Sequence, residues 1–364
     1  MKDDANLQIY SVSKEAWSAM HQAILGATKS IYWELYIFVD DEAGKPFFDT
    51  LENKAKAGVE VMLTIDSLGS FWLSKKRVQS LKQAGVDIRF FQERPNRLRG
   101  RWKRLWTRNH RKILVVDEET GFIGGVNISH RMQDRLDIQI KMTGRPVRSL
   151  LRAFAKNYVI CGGDKNKVKK LLKYKFRVAQ DEIDFIYDEP NISKSRARKK
   201  YIEALLKARE RVILFSPYYF PDRKFLHALW QAKKRGVRVD LLIPFRTDVR
   251  ILAYAHYVWF ALMRKLGVNI RFTKKMMHGK GVIMDDKWAM VGSSNLDHSS
   301  FFDNYEANLH TSDKKVVFDL KTLVETWLKD SMEFNEGDWA KRGVWHKINE
   351  WLAVKFYKMW FGDK

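Results

Sequence analysis

Residues Gly85-Val86-Asp87-Ile88-Arg89-Phe90 are answered 182 positions later by Gly267-Val268-Asn269-Ile270-Arg271-Phe272. Each stretch reads as a helix closed by glycine that hands over to an alternating strand, because glycine takes the left-handed conformation past a helix end without a steric penalty. Outward from this pair the correspondence continues. Ala57-Gly58-Val59-Glu60-Val61, leading into the strand 62–66, matches Arg235-Gly236-Val237-Arg238-Val239, leading into 240–244. Residues 31–41 match 213–222, both reading as strands that end in an acidic loop. Helices and strands alternate within each copy, so the chain is predicted to be α/β, with two similar α/β/α layered domains. The division is expected at 1–163 and 184–336, with a basic linker or helix over 164–183 and a Trp-rich tail over 337–364.

The register then shifts. From Phe90 to His110 is 20 residues, but from Phe272 to His278 only 6, so the first copy carries 14 more. They fall within 92–109, where Arg94, Arg97, Arg99, Arg101, Lys103, Arg104 and Arg108 interleave with Leu98, Trp102, Leu105 and Trp106. A charge run is ordinarily a solvated face. Here it abuts the most chemically suggestive histidine, which makes Arg97, Arg101, Trp102 and Trp106 candidates for substrate or membrane contact.

His110, Lys112 and Asp117 stand as H-x-K-x4-D, followed by Gly124, Gly125 and Asn127; His278, Lys280, Asp285, Gly292, Ser293 and Asn295 repeat the pattern at a constant offset of 168. One such motif is weak, whereas two registered copies in a duplicated chain are not coincidence. If His-x-Lys opens a strand, the imidazole and the ammonium project from the same face and can touch one substrate group. After a glycine turn, the Asn amide can return to the same place as a donor. Imidazole, ammonium and amide together suit an anionic phosphoryl group. Transfer through a protein nucleophile needs one group to attack phosphorus and another to protonate the leaving oxygen. Two histidines facing across a pseudo-twofold interface supply that pair, while the lysines and asparagines stabilise the equatorial oxygens.

A nucleophilic imidazole must be neutral and hold its proton on the other nitrogen, which calls for an acceptor. Downstream of His110 by 27 residues lies Asp137, and downstream of His278 by 28 lies Glu306; these are the expected orienting carboxylates. His130 and His298 share the 168 offset and are read as local hydrogen-bonding residues, with lining of the pocket as the alternative.

Paired H-x-K-x4-D-x6-G-[GS]-x-N motifs resemble those of the phospholipase D superfamily, over residues 5–335. Gln92-Glu93-Arg94-Pro95, the basic insertion and His110-Arg111-Lys112-Ile113 are similar to bacterial cardiolipin synthases without amino-terminal membrane spans. The resemblance implies a phospholipase D-like fold with its active site between the halves, and ping-pong transfer through a phosphatidyl-histidine with no metal or nucleotide cofactor. It makes His110 the nucleophile and His278 the general acid and base. Asp117 and Asp285 are then structural, bracing the site through buried hydrogen bonds. Two phosphatidylglycerols would give cardiolipin and glycerol; hydrolysis, or nuclease action, is the alternative within the superfamily.

Composition agrees with an anionic partner. The chain has 67 Lys and Arg against 43 Asp and Glu, a formal charge of +24, together with 13 Trp, 13 Tyr and 22 Phe. Such rings suit stacked bases or the water–lipid boundary. One cysteine, Cys161, excludes an internal disulfide framework and any multi-cysteine zinc site. The apolar run 251–263 is too short to span a bilayer and is expected as a buried helix. In the tail, Trp345, Ile348, Leu352, Phe356, Met359 and Trp360 share one helical face, with Lys347, Glu350 and Lys358 opposite and Trp351 and Phe361 among them, which suits the membrane interface or, as the alternative, a terminal helix docked on the core. Taken with the resemblance, this makes anionic phospholipids, phosphatidylglycerol and cardiolipin, the expected partners and nucleic acid the disfavoured one. The expected position is peripheral, on the cytoplasmic face of a bacterial cell membrane.

Overall fold

The computed structural model describes residues 6–92, 107–174, 182–191, 194–247, 259–260 and 262–335, with isolated positions between 337 and 352. The first copy runs β1 (Leu7–Val12), α1 (Ser13–Leu25), β2 (Ser30–Leu35), α2 (Lys45–Lys56), β3 (Glu60–Asp66), α3 (Lys75–Gln83), β4 (Asp87–Phe91), β5 (Ile113–Val116), β6 (Thr120–Gly124), β7 (Leu136–Thr143) and α4 (Val147–Ile160). Its strands form one sheet in the order β1-β7-β6-β5-β2-β3-β4. After the one-turn helix α5 (Lys169–Leu172) the second copy runs β8 (Ile183–Asp188), α6 (Arg196–Lys207), β9 (Arg211–Phe215), α7 (Arg223–Lys234), β10 (Arg238–Pro244), β11 (Val268–Thr273), β12 (Gly281–Met284), β13 (Trp288–Gly292), β14 (Glu306–Thr311), α8 (Lys314–Lys329) and β15 (Met332–Glu333). Its sheet, β8-β14-β13-β12-β9-β10-β11-β15, repeats the first order and adds β15 at one edge.

Local chemistry accounts for this repetition. Gly58, Gly85, Gly236 and Gly267 all carry positive φ, between 75° and 97°, at the helix ends expected for them. At Gly58, Gly85 and Gly236 an added Cβ would meet nothing within 4 Å, so the requirement there is conformational rather than spatial. The central strands are buried on both faces and largely apolar. Ile113 and Val115 of β5 pack into a core shared by both sheets and filled by α4 and α8, through Phe154, Tyr158, Leu320 and Trp327. Leu114 and Val116 turn to an outer core beneath α1 and α2. The second copy has its own outer core under α6 and α7, containing Val282 and Met284, while Ile283 faces the shared one. Two-sided burial is why these runs read as nearly continuous hydrophobic strands.

Of the apolar run 251–263, residues 251–258 and 261 lie outside the described residues; Phe260 and Met263 are buried. Among the described residues, no helix is long and apolar enough to cross a membrane.

Candidate active site

His110-Arg111-Lys112 leads directly into β5, and His278-Gly279-Lys280 into β12. The short hairpins that follow are turned by Asp117 and Glu118 (φ 54° and 59°) and by Asp285 and Asp286 (φ 48° and 55°), aspartate tolerating the left-handed region better than most residues. The Asp117 carboxylate accepts the backbone N–H groups of Thr28, Lys29 and Ser30, and Asp285 those of Arg209, Glu210 and Arg211. These bonds are largely solvent-exposed, not buried, and lie at the far ends of β5 and β12 from the lysines. The motif aspartates thus brace the strands remotely, a correction to the buried role expected of them.

Each motif histidine is stitched to the other copy. The His110 N–H donates to the Tyr305 carbonyl at 3.0 Å, and the His278 N–H to the Leu136 carbonyl at 2.6 Å. The next residue in each case is a carboxylate. His110 Nδ1 lies 3.0 and 3.1 Å from the two Glu306 oxygens, and His278 Nδ1 lies 2.7 Å from Asp137 Oδ2. The pairs are therefore exchanged: each carboxylate serves the histidine of the other copy, not the one it follows in the chain. An ionised carboxylate can only accept, so Nδ1 carries the proton and Nε2 keeps its lone pair.

The four groups are nearly inaccessible, His110 at 8% and His278 at 6% exposure with Asp137 and Glu306 at or below 1%. Burial pulls both imidazoles below the usual histidine range, more than their carboxylates raise them, with the neighbouring ammonium groups adding to the effect. For Asp137 and Glu306 burial alone would push the acid upward. It is outweighed, by Lys280 and His278 for Asp137 and by His110 and Lys112 for Glu306, so both stay ionised. Burial lowers Lys112 to about 7. Such a cluster is electrostatically short of an anion, and a phosphodiester bound against it would favour the charged forms of the bases.

Lys112 Nζ donates to the His110 carbonyl at 2.5 Å, and Lys280 Nζ to that of His278. Tyr36 sets its ring edge-on to His110, centroids 5.0 Å apart, and lies 5.3 Å from Lys112 Nζ. Asn127 Oδ1 accepts from the Ile37 N–H at 3.1 Å, which leaves Nδ2 as a buried donor with no partner. In Asn295 it is Oδ1 that is buried and unpartnered, and a half-turn of that amide presents Nδ2 there instead. Unspent buried donors of this kind suit an anionic ligand.

Three residues to which the motif reading gave no chemical role of their own also shape the site. Ser293 Oγ donates to Glu306 Oε2 and accepts the Ala307 N–H at 2.9 Å. In the first copy Asp137 Oδ1 takes the matching Ile138 N–H itself, at 2.9 Å, and a Cβ on Gly125 would come within 2.2 Å of that oxygen. Glu with Ser and Asp with Gly are thus alternative fillings of one space. Arg111, 1% exposed, crosses into the second copy: its guanidinium donates to the Glu306 and Asp188 carbonyls and lies 5.3 and 5.5 Å from the Tyr305 and Tyr187 rings. The one sequence signal for it was that the second motif has Gly279 at the equivalent place. Glu34 is fully buried beside it, raised to about 7 by burial, which Arg111 partly counters.

His130 and His298 stand against Glu42 and Asp303, both at 3.2 Å, in local pairs. Arg97, Arg101, Trp102, Trp106 and Trp360 lie outside the described residues. Trp345 is 79% exposed.

Known proteins supply the comparison. The family model described as "Cardiolipin synthase, PLD-like domain" matches residues 20–159 and 201–327, once in each copy. A cardiolipin synthase of Halalkalibacterium halodurans is 32% identical over 91% of this chain and 67% of its own length, and cardiolipin synthase B of Salmonella typhimurium is 29% identical over 98% and 89%. Among solved structures, phosphatidylserine synthase of Haemophilus influenzae superposes with a TM-score of 0.74 at 15% identity, covering 97% of this chain and 93% of that one, a likeness of fold. With both copies matched and about a third of the residues shared along nine-tenths of its length, this chain belongs to the cardiolipin synthase family of phospholipase D-like proteins.

Proposed function

We propose that the protein is a phosphatidyltransferase of the cardiolipin synthase type, joining two phosphatidylglycerols into cardiolipin and glycerol. The observation that carries the reading is the exchanged pair of histidine–carboxylate contacts, which commits Nδ1 of both imidazoles and leaves both Nε2 atoms for chemistry. The relatives named above supply the substrate class.

In the first step the His110 Nε2 lone pair attacks phosphorus, and the bond from phosphorus to the glycerol headgroup breaks. His278, protonated in the presence of the bound anion, gives its Nε2 proton to the departing glycerol oxygen. In the second step His278 takes the proton of a hydroxyl on the incoming phosphatidylglycerol, whose oxygen displaces His110 from phosphorus. One phosphodiester replaces another, so no energy source enters. Lys112, Lys280, Asn127 and Asn295 meet the phosphoryl oxygens, whose charge is redistributed in both transition states. Glu306 and Asp137 stabilise the positive charge that develops on their imidazoles. The basic and aromatic composition of 92–109 and of the tail suits contact with anionic lipid, and Trp345 is exposed.

The test is mass spectrometry of the products formed by the purified protein on phosphatidylglycerol vesicles. Cardiolipin with released glycerol is expected. Phosphatidic acid alone would make the protein a hydrolase, and cleavage of an oligonucleotide with no lipid product would make it a nuclease.

A further inference from the structure

Three of the exposed large apolar side chains lie within five consecutive residues of one loop: Leu68, Phe71 and Trp72 are 56, 70 and 76% exposed. The loop, 67–74, joins β3 to α3, and exposed Lys75 and Lys76 follow it at once. It is built rather than slack. Asp66 Oδ1 accepts the N–H groups of Leu68 and Gly69 at 2.9 Å each, and Ser70 Oγ is tied to the Phe38 N–H and the Tyr36 carbonyl. Leu73 folds back into the core, so the chain spends ordered hydrogen bonds to hold its apolar tip in water. A soluble surface gains nothing from that arrangement.

The tip is also mechanically next to the site. Asp66 Oδ2 accepts the N–H of Asn109, the residue before His110, at 2.9 Å. At Gly69 a Cβ would strike the Tyr36 carbonyl and ring at 2.3 and 2.8 Å, and that same ring lies edge-on to His110. Behind the tip, Phe71, Leu73, Val78 and Phe90 line a groove of about 390 Å³ bordered by Lys75 and Lys82. The equivalent loop of the second copy, after β10, exposes Phe245 (49%) beside exposed Arg246. By the pseudo-twofold relation the two aromatic-and-basic loops flank the site on one face.

We infer that loop 67–74 is the element through which this protein seats on an anionic phospholipid bilayer, its Phe71–Trp72 tip entering the interface while Lys75 and Lys76 meet headgroups. The inference rests on the lipid reading above and adds which surface does the docking. Rings of Trp and Phe with adjacent lysines are the side-chain mixture that the interface rewards, apolar contact and charge attraction acting together.

The experiment places an environment-sensitive fluorophore at Phe71→Cys and, as control, at Phe318→Cys on α8, each in the full chain with Cys161→Ser. Phe318 is 66% exposed, comparable with Phe71. With phosphatidylglycerol vesicles the label at 71 is expected to shift to the blue and be quenched by brominated acyl chains, and the label at 318 to do neither. In the unlabelled chain, Phe71→Ser with Trp72→Ser is expected to weaken vesicle co-sedimentation by about tenfold or more. The ratio of turnover on vesicles to turnover on monomeric short-chain phosphatidylglycerol should fall in parallel, and the monomeric arm reports folding. A label at 71 that stays in water while the wild-type chain sediments and makes cardiolipin overturns the docking inference and leaves the lipid reading standing. A wild-type chain that neither sediments nor yields a lipid product overturns both. A blue shift at 71 that grows with protein concentration without vesicles means that a second copy covers the tip, and overturns the inference as well.

Discussion

The exchanged carboxylates make a prediction that a local pairing would reverse. Replacing Glu306 by Gln removes the anion from His110, and replacing Asp137 by Asn removes it from His278, with little change of volume. The charge lost faces an imidazole whose Nδ1 is 3.0 Å from the carboxylate. In the proposed first step the His110 ring becomes positive as it attacks phosphorus. With charge centres about 4 Å apart and an effective dielectric near 20, the attraction is about 4 kcal/mol. That corresponds to roughly a thousandfold slower phosphatidyl-enzyme formation. The assay is a single-turnover burst on a phosphatidyl p-nitrophenyl ester, whose leaving group needs no proton. Glu306→Gln should lose the burst by about that factor. Asp137→Asn should keep it and accumulate the phosphatidyl-histidine, because only the return step then needs His278 as base. Retention of the burst in Glu306→Gln with its loss in Asp137→Asn would refute the combination of exchanged pairing with His110 as nucleophile. Circular dichroism and thermal melts of both variants check that the comparison is between folded proteins.

Lys112 is pulled from an ordinary 10.5 to about 7 by burial, so between pH 7 and 9 the unfolded chain holds a proton that the folded chain has released. Stability must then rise with pH across that window, by about 2 kcal/mol from this group; urea titrations should show the rise in the wild type and its loss in Lys112→Met. Asp117→Asn and Asp285→Asn each weaken a carboxylate that gathers three backbone N–H groups, and should cost about 1–2 kcal/mol in denaturant midpoints while turnover per folded molecule stays near wild type. Arg111→Met strips the Glu306 and Asp188 carbonyls of a buried donor and removes the positive charge that most favours ionised Glu34; a stability loss of about 3 kcal/mol is expected by calorimetry, and Arg111→Lys should recover only part of it. Ser293→Gly frees one Glu306 oxygen and should slow the burst about tenfold, whereas Gly125→Ser should fold poorly because its Cβ collides with Asp137.

What the amino-acid order determines by itself is whatever depends on near neighbours. Glycine at 58, 85, 236 and 267 ends helices through its own φ, apolar runs buried on both faces become strands, and the constant offset of 168 identifies the two motif copies. From these the duplicated α/β architecture and the histidines, lysines and asparagines of the site were legible. The two carboxylates were legible as residue types but not as partners. Pairing along the chain put Asp137 with His110, and nothing in a local pattern could exchange them, because the exchange is made by backbone bonds between residues 142 and 195 positions apart, which set side-chain pairs 141 and 196 apart. The motif aspartates looked buried for the converse reason: their spacing to the histidine is fixed, but whether a turn at the end of a four-residue strand meets core or water is decided by the neighbouring loop. Arg111, Ser293 and the 67–74 tip belong to the same class. Each has its meaning from a surface that another part of the chain supplies, and only the packed tertiary structure decides which surface that is.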